Sequence, residues 1–394
     1  MRYLIIGNGV AGTTAADQIR KQDQTGVITM VSAEDLPFYY RIRLNDFLAG
    51  ELDEQALIAR KADWYRERNI DLRLSTRIIG VDPLARTVTT ADGNSIPYDR
   101  LLLATGSHPF VPAITGADRP GVFTLHTIAD ARRIAAAAKT GSRAVLIGGG
   151  LLGLETGNAL RRLGKQVTVV EFSPRLLPRQ LDAAGAGRLQ EILTAMGFAF
   201  RLNARTEEIT GTGPREGVRL ADGELLLAEM VLLAAGVRPD LELATILKLE
   251  RDKGIKVDER LRTSQPDIYA AGDTIEFRGA PYGIWPAAQE QGRIAGANMA
   301  GDDLVYNGTT PANILKVAGI DLASAGEIDA DGQLESRLAT TATSYKKIVI
   351  RDNRLAGCIL LGDTKAFPAL TRAIADQRDI GPIKDKLLAD PTLL

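Results

Sequence analysis

The stretch RYLIIGNGVAGTTAADQIRKQDQTGVITMVS, residues 2–32, decides the fold. An apolar run predicts a strand over 2–6, and GNGVAG at 7–12 is a glycine turn. An Ala-rich amphipathic segment predicts a helix over roughly 11–22, and VITMVS predicts a second strand over 27–32. Such a βαβ unit has a right-handed crossover between two parallel strands. The stretch therefore predicts a parallel sheet covered by helices.

The same order of elements returns over residues 143–171. RAVLIG predicts a strand, GGGLLG at 148–153 is the glycine turn, LETGNALRRLG predicts a helix, and QVTVVE at 166–171 predicts the second strand. Two such units about 140 residues apart indicate an internal duplication of a nucleotide-binding design.

The remaining chain suggests how these units are completed. Turn signals stand at Asp82-Pro83, Asp92-Gly93 and Asp222-Gly223, and a change of character from about residue 307 indicates strand-like runs and then a helical tail near Ala366. Further expected elements are the strands RLLLATG at 100–106, MVLLAAG at 230–236 and DIYAAGD at 267–273, and a helix over 287–301. The predicted fold class is α/β, with two Rossmann-like dinucleotide-binding domains and a small C-terminal α+β domain. The expected boundaries are 1–112 with 240–304, 113–239, and 305–394.

Composition excludes several classes of protein. The 394 residues suggest two or three domains, and 48 Lys+Arg against 49 Asp+Glu leave no basic excess for a dedicated nucleic-acid binder. No apolar run approaches the ~18 residues of a membrane span, and Met1–Ile6 already reads as a strand rather than a secretory leader, so we expect a cytoplasmic protein. With one cysteine and two histidines, the chain offers no disulfide framework and no cysteine-rich metal site. Any redox chemistry must come on a bound cofactor.

The first glycine motif predicts a dinucleotide site. Gly7 allows the tight turn, Gly9 lets the backbone approach a pyrophosphate, and Gly12 permits close packing of helix on strand. The helix N-terminus then offers free N–H groups to the phosphates. An acid about 20 residues further on binds a ribose, and Glu34 is our candidate, with Asp35 beside it and the register left open.

The second motif repeats these features with Gly148, Gly150 and Gly153. Glu171 ends the following strand, where a carboxylate accepts hydrogen bonds from ribose hydroxyls and repels a 2′-phosphate. We therefore expect NADH rather than NADPH at this site. Arg175 and Arg179 lie just beyond and could soften that preference, or could be solvated surface arginines.

Two dinucleotide sites in one chain favour hydride transfer between a nicotinamide and a flavin. With ATG at 104–106 and YAAGD at 269–273 added to the two glycine motifs, the chain resembles the FAD-dependent pyridine nucleotide-disulfide oxidoreductase superfamily. Within it, ITMVSAEDLPFYYRIRLNDFLAG at 28–50 and ILKVAGI at 314–320 most resemble the NADH:rubredoxin oxidoreductases and the flavin-binding portion of NADH-dependent nitrite reductases.

The resemblance implies FAD in the first unit and NADH in the second. It places Asp273 at the flavin ribityl chain, Arg41 along FAD, and Glu155 beside the stacked nicotinamide and flavin rings. Trp285 falls where relatives cover the flavin edge, with ordinary packing as the alternative. The full set of expected cofactor-binding residues is Gly7, Gly9, Val10, Ala11, Gly12, Glu34, Arg41, Ile78, Ala104, Thr105, Gly106, Gly148, Gly150, Leu151, Leu152, Gly153, Glu171, Arg179, Gly236, Gly272, Asp273 and Trp285.

Departures from the superfamily pattern narrow the chemistry. The segment YYRIRLNDFL lacks the cysteines that thiol-dependent relatives carry there, which excludes thiol catalysis at that position. Leu44-Asn45-Asp46 stands where related ferredoxin-type reductases have L-S-K, so no lysine near flavin N5 carries over. Lys316 could supply positive charge near the flavin, or could form an interdomain salt bridge, and we take it with Glu155 as the catalytic candidates.

The remaining reactive side chains have simpler interpretations. Cys358 sits in the strand-like run GCILLGD and is expected in the core. His126 precedes a helix start, where Thr127 and Asp130 form a capping-box pattern, and His108 lies in a Pro-flanked loop. We expect no metal site.

The sequence thus predicts a flavoprotein reductase that passes electrons from NADH through FAD to a small redox protein such as rubredoxin. The alternatives are an NADH oxidase, a quinone reductase, the flavin component of a nitrite reductase, or a flavin-bound redox sensor without turnover. We expect a monomer or homodimer, with no nucleic-acid or membrane partner.

Overall fold

The computed structural model describes residues 1–309 and 312–394, and for 312–315 the backbone alone. In these ranges the strands are β1 (Arg2–Ile6), β2 (Val27–Val31), β3 (Ile70–Arg73), β4 (Ile78–Asp82), β5 (Thr87–Thr90), β6 (Ser95–Pro97), β7 (Arg100–Leu103), β8 (Ser107–Pro109), β9 (Val122–Phe123), β10 (Arg143–Ile147), β11 (Gln166–Val170), β12 (Phe198–Arg201), β13 (Thr206–Ile209), β14 (Gly217–Leu220), β15 (Leu225–Leu227), β16 (Met230–Leu233), β17 (Val237–Pro239), β18 (Ile255–Lys256), β19 (Ile268–Ala270), β20 (Ile275–Glu276), β21 (Ala312–Val317), β22 (Ile320–Gly326), β23 (Glu335–Thr340), β24 (Tyr345–Arg351) and β25 (Arg354–Leu361). The helices are α1 (Val10–Gln22), α2 (Leu44–Leu48), α3 (Glu54–Leu57), α4 (Ala62–Glu67), α5 (Ile128–Ala138), α6 (Leu151–Arg162), α7 (Ala183–Ala195), α8 (Glu242–Ile246), α9 (Trp285–Met299) and α10 (Phe367–Ala375).

The chain divides into two compact units. The first contains Met1–Leu44, Leu52–His108 and Val237–Thr310, and the second contains Asn45–Glu51, Pro109–Gly236 and Pro311–Leu394. The three-domain division expected from the sequence, with its breaks at 112, 239 and 304, stays a prediction.

The first unit is built on a five-stranded parallel sheet in the order β19-β7-β1-β2-β3. Its central strands are almost wholly apolar and buried on both faces, as parallel strands covered by helices must be. An antiparallel meander, β4-β5-β6, separates β3 from β7, and its turns follow the Asp-containing signals seen in the sequence.

The second unit repeats this architecture. Its parallel sheet runs β12-β11-β10-β16-β9, and the meander β13-β14-β15 stands between β12 and β16. The predicted duplication and the α/β fold class are therefore confirmed. One difference separates the copies. In the second sheet the edge strand next to β16 is β9, which precedes β10 in the chain. In the first sheet the edge strand next to β7 is β19, which comes far later in the chain.

The same unit contains an antiparallel sheet in the order β21-β22-β25-β24-β23, with α10 contributing to its apolar core. This confirms the small C-terminal α+β element. Cys358 lies in β25 and is fully buried, and burial raises the pKa of its thiol to about 12. The side chain is thus a core residue, as predicted, and its thiol stays protonated at neutral pH.

Three local predictions need correction. Helix α6 begins at Leu151 rather than at Leu154, because Gly150 is already its N-cap. Helix α9 begins at Trp285 rather than at 287, since a proline in the first turn lacks only an N–H that has no intrahelical partner. His108 lies in the short strand β8 and not in a loop. The capping box of Thr127 and Asp130 is confirmed at the start of α5.

In the described part of the chain, no helix combines the length and the apolar character needed to cross a membrane.

Candidate functional site

The first glycine turn forms an open cradle in front of α1. Gly7 has φ +114°, and a Cβ there would lie 2.0 Å from the carbonyl oxygen of Ala104. A Cβ on Gly12 would lie 2.0 Å from the carbonyl oxygen of Gly7, whereas a Cβ on Gly9 would meet no atom of the described residues within 4 Å. Gly9 is the N-cap of α1, and no capping side chain occupies the N–H groups of the first turn. This arrangement fits a dinucleotide pyrophosphate.

The acid predicted for this site, Glu34, lies beyond the end of β2. Its carboxylate accepts hydrogen bonds from the Tyr39 hydroxyl at 2.5 Å and from the Arg41 guanidinium at 2.6 Å. The structure therefore brings together two predicted cofactor residues, Glu34 and Arg41. Tyr39 was not predicted, although its place five residues after Glu34 in an aromatic-rich segment is visible in the sequence.

Asp273 lies at the carboxyl end of the same sheet, after β19. Burial raises the pKa of its carboxyl, against a hydrogen bond of 3.2 Å from the Ser107 hydroxyl and the positive charge of Arg41, which both favour the ionised form. The Gly272 N–H donates to Gln291 at 2.9 Å and so fixes the turn before this acid. Ser107 was missed by the sequence analysis, and its only signal is its place directly after ATG.

A second group of side chains ties the glycine turn to the segment that carries Arg41. The Tyr65 hydroxyl accepts from the Phe38 N–H at 3.0 Å and donates to the Asn8 side-chain oxygen at 2.9 Å. Trp285 stacks on Tyr40, with ring centroids 5.9 Å apart and planes 23° apart. Trp285, at the start of α9, therefore packs in an aromatic cluster with Phe38 and Tyr40, and its place at the flavin edge stays a prediction.

The second cradle has the geometry of the first. Gly148 has φ +120°, and a Cβ there would lie 2.4 Å from the carbonyl oxygen of Ala234. A Cβ on Gly153 would lie 2.1 Å from the carbonyl oxygen of Gly148, and a Cβ on Gly150 would meet nothing within 4 Å in the part of the chain that the structure describes. Gly150 is the N-cap of α6, again without a side-chain cap. The chain thus holds two equivalent places for a dinucleotide.

Glu171 is held rigidly beside the second cradle. Its two carboxylate oxygens accept from the Gly149 N–H at 2.6 Å and from the Ser173 N–H at 2.7 Å. The Glu171 N–H donates to Arg201 just as the Ser32 N–H donates to Arg73 in the first sheet. Ser32 is therefore the structural counterpart of Glu171, and Glu34 lies two residues further along.

The two arginines beyond Glu171 differ in their surroundings. Arg175 donates from Nε to the Leu181 carbonyl at 3.3 Å, so its guanidinium is directed along its own loop. Arg179 is exposed.

The other predicted cofactor residues, whose role stays a prediction, lie at the following places in the fold. Val10 and Ala11 open α1, Leu151 and Leu152 open α6, Ile78 starts β4, and Ala104, Thr105, Gly106 and Gly236 follow β7 and β16.

Glu155 and Lys316 are brought together in the second unit. Glu155 lies on α6, and its carboxylate accepts from the Ala318 N–H at 2.7 Å, in the turn between β21 and β22. Burial raises the pKa of Glu155, and the charge of Asp46 raises it further, whereas the Ala318 N–H and the charge of Lys316 act in the opposite direction. The Asp46 effect was not predicted, although Asp46 is the residue that departs from the L-S-K pattern.

Comparisons with known proteins identify the class. The pyridine nucleotide-disulphide oxidoreductase family model matches residues 1–292, and the rubredoxin NAD+ reductase C-terminal domain model matches residues 311–378. The chain belongs to the pyridine nucleotide-disulphide oxidoreductase family. The resemblance predicted from the sequence is confirmed, and the members of this family are FAD-dependent NADH oxidoreductases.

Individual relatives are similar to this chain over nearly its whole length. It is 37% identical over 383 residues to nitrite reductase [NAD(P)H] of Bacillus subtilis, covering 96% of this chain and 48% of that protein. It is 31% identical to NADH-rubredoxin oxidoreductase of Clostridium acetobutylicum over 97% of this chain and 96% of that one. The crystal structure of the clostridial enzyme covers 100% of this chain and 99% of its own, with a TM-score of 0.86. The NAD-dependent persulfide reductase of A. fulgidus covers 100% of this chain and 83% of its own, with 27% identity and a TM-score of 0.90. The chain spans about half the length of the first curated relatives it matches.

Proposed function

We propose that this protein is a flavoprotein reductase that takes hydride from NADH onto FAD and passes electrons to a small redox protein of the rubredoxin kind. The observation that carries the proposal is the pair of equivalent, open glycine cradles, one in each parallel sheet. The family and the full-length similarity to NADH-rubredoxin oxidoreductase support it. Because the proposed donor is NADH, we place the reaction in the cytoplasm.

The residues of the first unit would bind FAD. The N–H groups at the start of α1 would bind the pyrophosphate, and Glu34 would accept from a ribose hydroxyl. Asp273 would accept from the ribityl hydroxyls, with Arg41 favouring its ionised form. Bound FAD would supply the redox chemistry, because flavin accepts two electrons as hydride and releases them one at a time.

The residues of the second unit would bind NADH. The N–H groups at the start of α6 would bind its pyrophosphate, and Glu171 would accept from the adenosine ribose. Its carboxylate, fixed by two backbone N–H groups, would repel a 2′-phosphate and favour NADH over NADPH. Glu155, held by Ala318, would orient the nicotinamide.

The first test is anaerobic mixing of the FAD-loaded protein with NADH. We expect rapid loss of the oxidised flavin absorbance, and slower loss with NADPH. Persistence of the oxidised band with NADH would refute the reductase proposal, and equal rates with both donors would refute the role of Glu171 in the preference.

The acceptor is tested by stopped-flow reoxidation of the NADH-reduced protein. Rubredoxin is expected to reoxidise the flavin faster than oxygen or a quinone does. Faster reoxidation by oxygen would replace the proposal with an oxidase, and faster reoxidation by a nitrite reductase subunit would make the chain its flavin component. A long-lived reduced complex with every acceptor would indicate a redox sensor.

A further inference from the structure

Phe172 follows Glu171 directly, and its side chain is 73% exposed. Single exposed apolar residues are common on protein surfaces, so exposure alone says nothing. The position of Phe172 is informative, because this residue follows the carboxyl end of β11 and is adjacent to Glu171, the acid proposed above to bind a ribose. Ligands of open parallel sheets bind outside the carboxyl ends of the strands.

The loop after β11 turns its other large apolar side chains inward. Leu176, Leu177 and Leu181 are all buried, at no more than 1% exposure. Arg175 is bound to a carbonyl of the same loop. Phe172 is therefore the large apolar side chain that residues 172–181 leave exposed.

The two hydrogen bonds accepted by the Glu171 carboxylate fix the position of the Phe172 backbone. Its neighbours on both sides are anchored, since the carboxylate of Glu171 binds the N–H groups of Gly149 and Ser173. A ribose hydroxyl within hydrogen-bond distance of Glu171 brings the attached base within reach of the adjacent side chain, because the base is bonded to the same sugar ring. The corresponding residue of the first cradle is Ala33, so the aromatic ring belongs to the second cradle alone.

We propose that Phe172 is the platform on which the adenine of NADH stacks. This rests on the proposed NADH site. A flat, apolar ring pairs well with the face of any base, and such stacking is sensitive to truncation to alanine. Phe172 thus sets affinity for the adenosine half of the cofactor and leaves the hydride step, at the far end of NADH, unchanged.

The test is a two-by-two comparison of Phe172→Ala with the unchanged protein, using NADH and nicotinamide mononucleotide in its reduced form, which lacks the adenosine. For NADH we expect KM to rise between about 5-fold and about 150-fold with kcat unchanged, the range that loss of one stacked base corresponds to. For the mononucleotide we expect no change in KM. Phe172→Tyr retains the ring and should preserve the NADH KM.

Leu84→Ala is the matched control, because Leu84 is 97% exposed in the first unit and should leave KM for both donors unchanged. An unchanged NADH KM in Phe172→Ala, or an equal rise for both donors, would overturn the proposal. Calorimetric binding of ADP-ribose gives a second readout that needs no turnover: its Kd should rise in Phe172→Ala. Failure of the Phe172 proposal can be distinguished from failure of the proposed function, because flavin reduction by the reduced mononucleotide tests the reductase activity without the adenosine.

Discussion

The backbone N–H of Ala318 donates a hydrogen bond of 2.7 Å to the carboxylate of Glu155, 163 residues earlier in the chain. The turn between β21 and β22 therefore fixes the side chain of Glu155 on α6. Ala318 has φ +52° and Gly319 φ +88°, so the two residues between β21 and β22 have the positive φ values that a type I′ hairpin turn requires. The C-terminal strands thus contribute directly to a residue proposed to lie at the nicotinamide.

The first prediction concerns the pH dependence that Glu155 introduces. Because burial raises its pKa in the folded state, its contribution to stability is complete below the pKa of the unfolded chain and is lost as pH rises through the folded pKa. In Glu155→Gln, which keeps an oxygen for the Ala318 N–H, this loss should disappear. Denaturant unfolding across the acidic to neutral range measures it.

Asp46→Asn should act in the same direction, since removing a nearby negative charge lowers the pKa of Glu155. The exposed Glu207→Gln is the control and should leave the pH profile unchanged. A profile identical in Glu155→Gln and the unchanged protein would contradict the assignment.

The second prediction separates the two cradles. Gly9→Ala and Gly150→Ala place a Cβ in open space, so the protein without cofactors should keep its melting temperature. Each methyl would occupy ligand space, however, and should weaken one dinucleotide by at least about tenfold, or ~1.4 kcal/mol. FAD fluorescence titration should detect the loss in Gly9→Ala, and the NADH KM should rise in Gly150→Ala. Loss of both cofactors in either variant would show that the cradles are not independent.

The third prediction compares two buried tyrosines of the first unit. Tyr65→Phe removes the acceptor of the Phe38 N–H and one of the two hydroxyl donors to the Asn8 side-chain oxygen, and should cost about 1–3 kcal/mol of unfolding free energy. The hydroxyl of Tyr98 is buried and has no hydrogen-bond partner among the residues that the structure describes, so Tyr98→Phe should be neutral or stabilising. Chemical denaturation of both variants checks this, and equal destabilisation would argue against the bonded role of Tyr65.

The fourth prediction concerns the buried ion pair of the second unit. Lys347 is 4% exposed and donates to Asp182, the N-cap of α7, at 3.0 Å. Lys347→Met leaves this carboxylate and that of Asp329 buried without a cation, which should cost about 3–5 kcal/mol. Lys346→Met, which breaks the more exposed pair with Asp363, should cost less than about 1 kcal/mol.

The cost in Lys347→Met should shrink at low pH. Although burial raises the pKa of Asp329, backbone N–H groups and the charge of Lys347 hold it below its usual value, so this contribution is present at neutral pH and lost as pH falls. Thermal unfolding at two pH values measures the change. A penalty that is the same at both would indicate lost packing alone.

Local patterns were sufficient to predict both βαβ units and the glycine turns. A strand, a turn and an amphipathic helix are each specified within about ten residues, and Gly7 and Gly148 adopt the positive φ that their motif requires. Trp285 shows the limit of that reasoning. Residue patterns locate a helix end only to within one or two residues. Helix α9 begins at Trp285, after its N-cap Ile284, two residues before the start predicted from the sequence.

Contacts between distant segments could not be predicted. Tyr65 meets Asn8 across 57 residues, and Ser107 meets Asp273 across 166. Such pairs are set by how the sheet and its helices pack, and single polar residues carry no periodic signal of their partners. The sequence therefore predicted the glycine turns and the acidic residues of the candidate site. The groups that orient Glu34, Asp273 and Glu155 were found only in the structure.

The different origins of the outer strands impose an order on folding during synthesis. The sheet of the second unit is complete once β16 has left the ribosome, because β9 precedes it. The first sheet must wait for β19, which is made more than a hundred residues after its neighbour β7. Until then β7 is an unprotected edge, open to pairing with other chains. The nascent chain is thus most prone to aggregate after β7 emerges and before β19 joins it, and the second cradle is ready for its nucleotide before the first sheet closes.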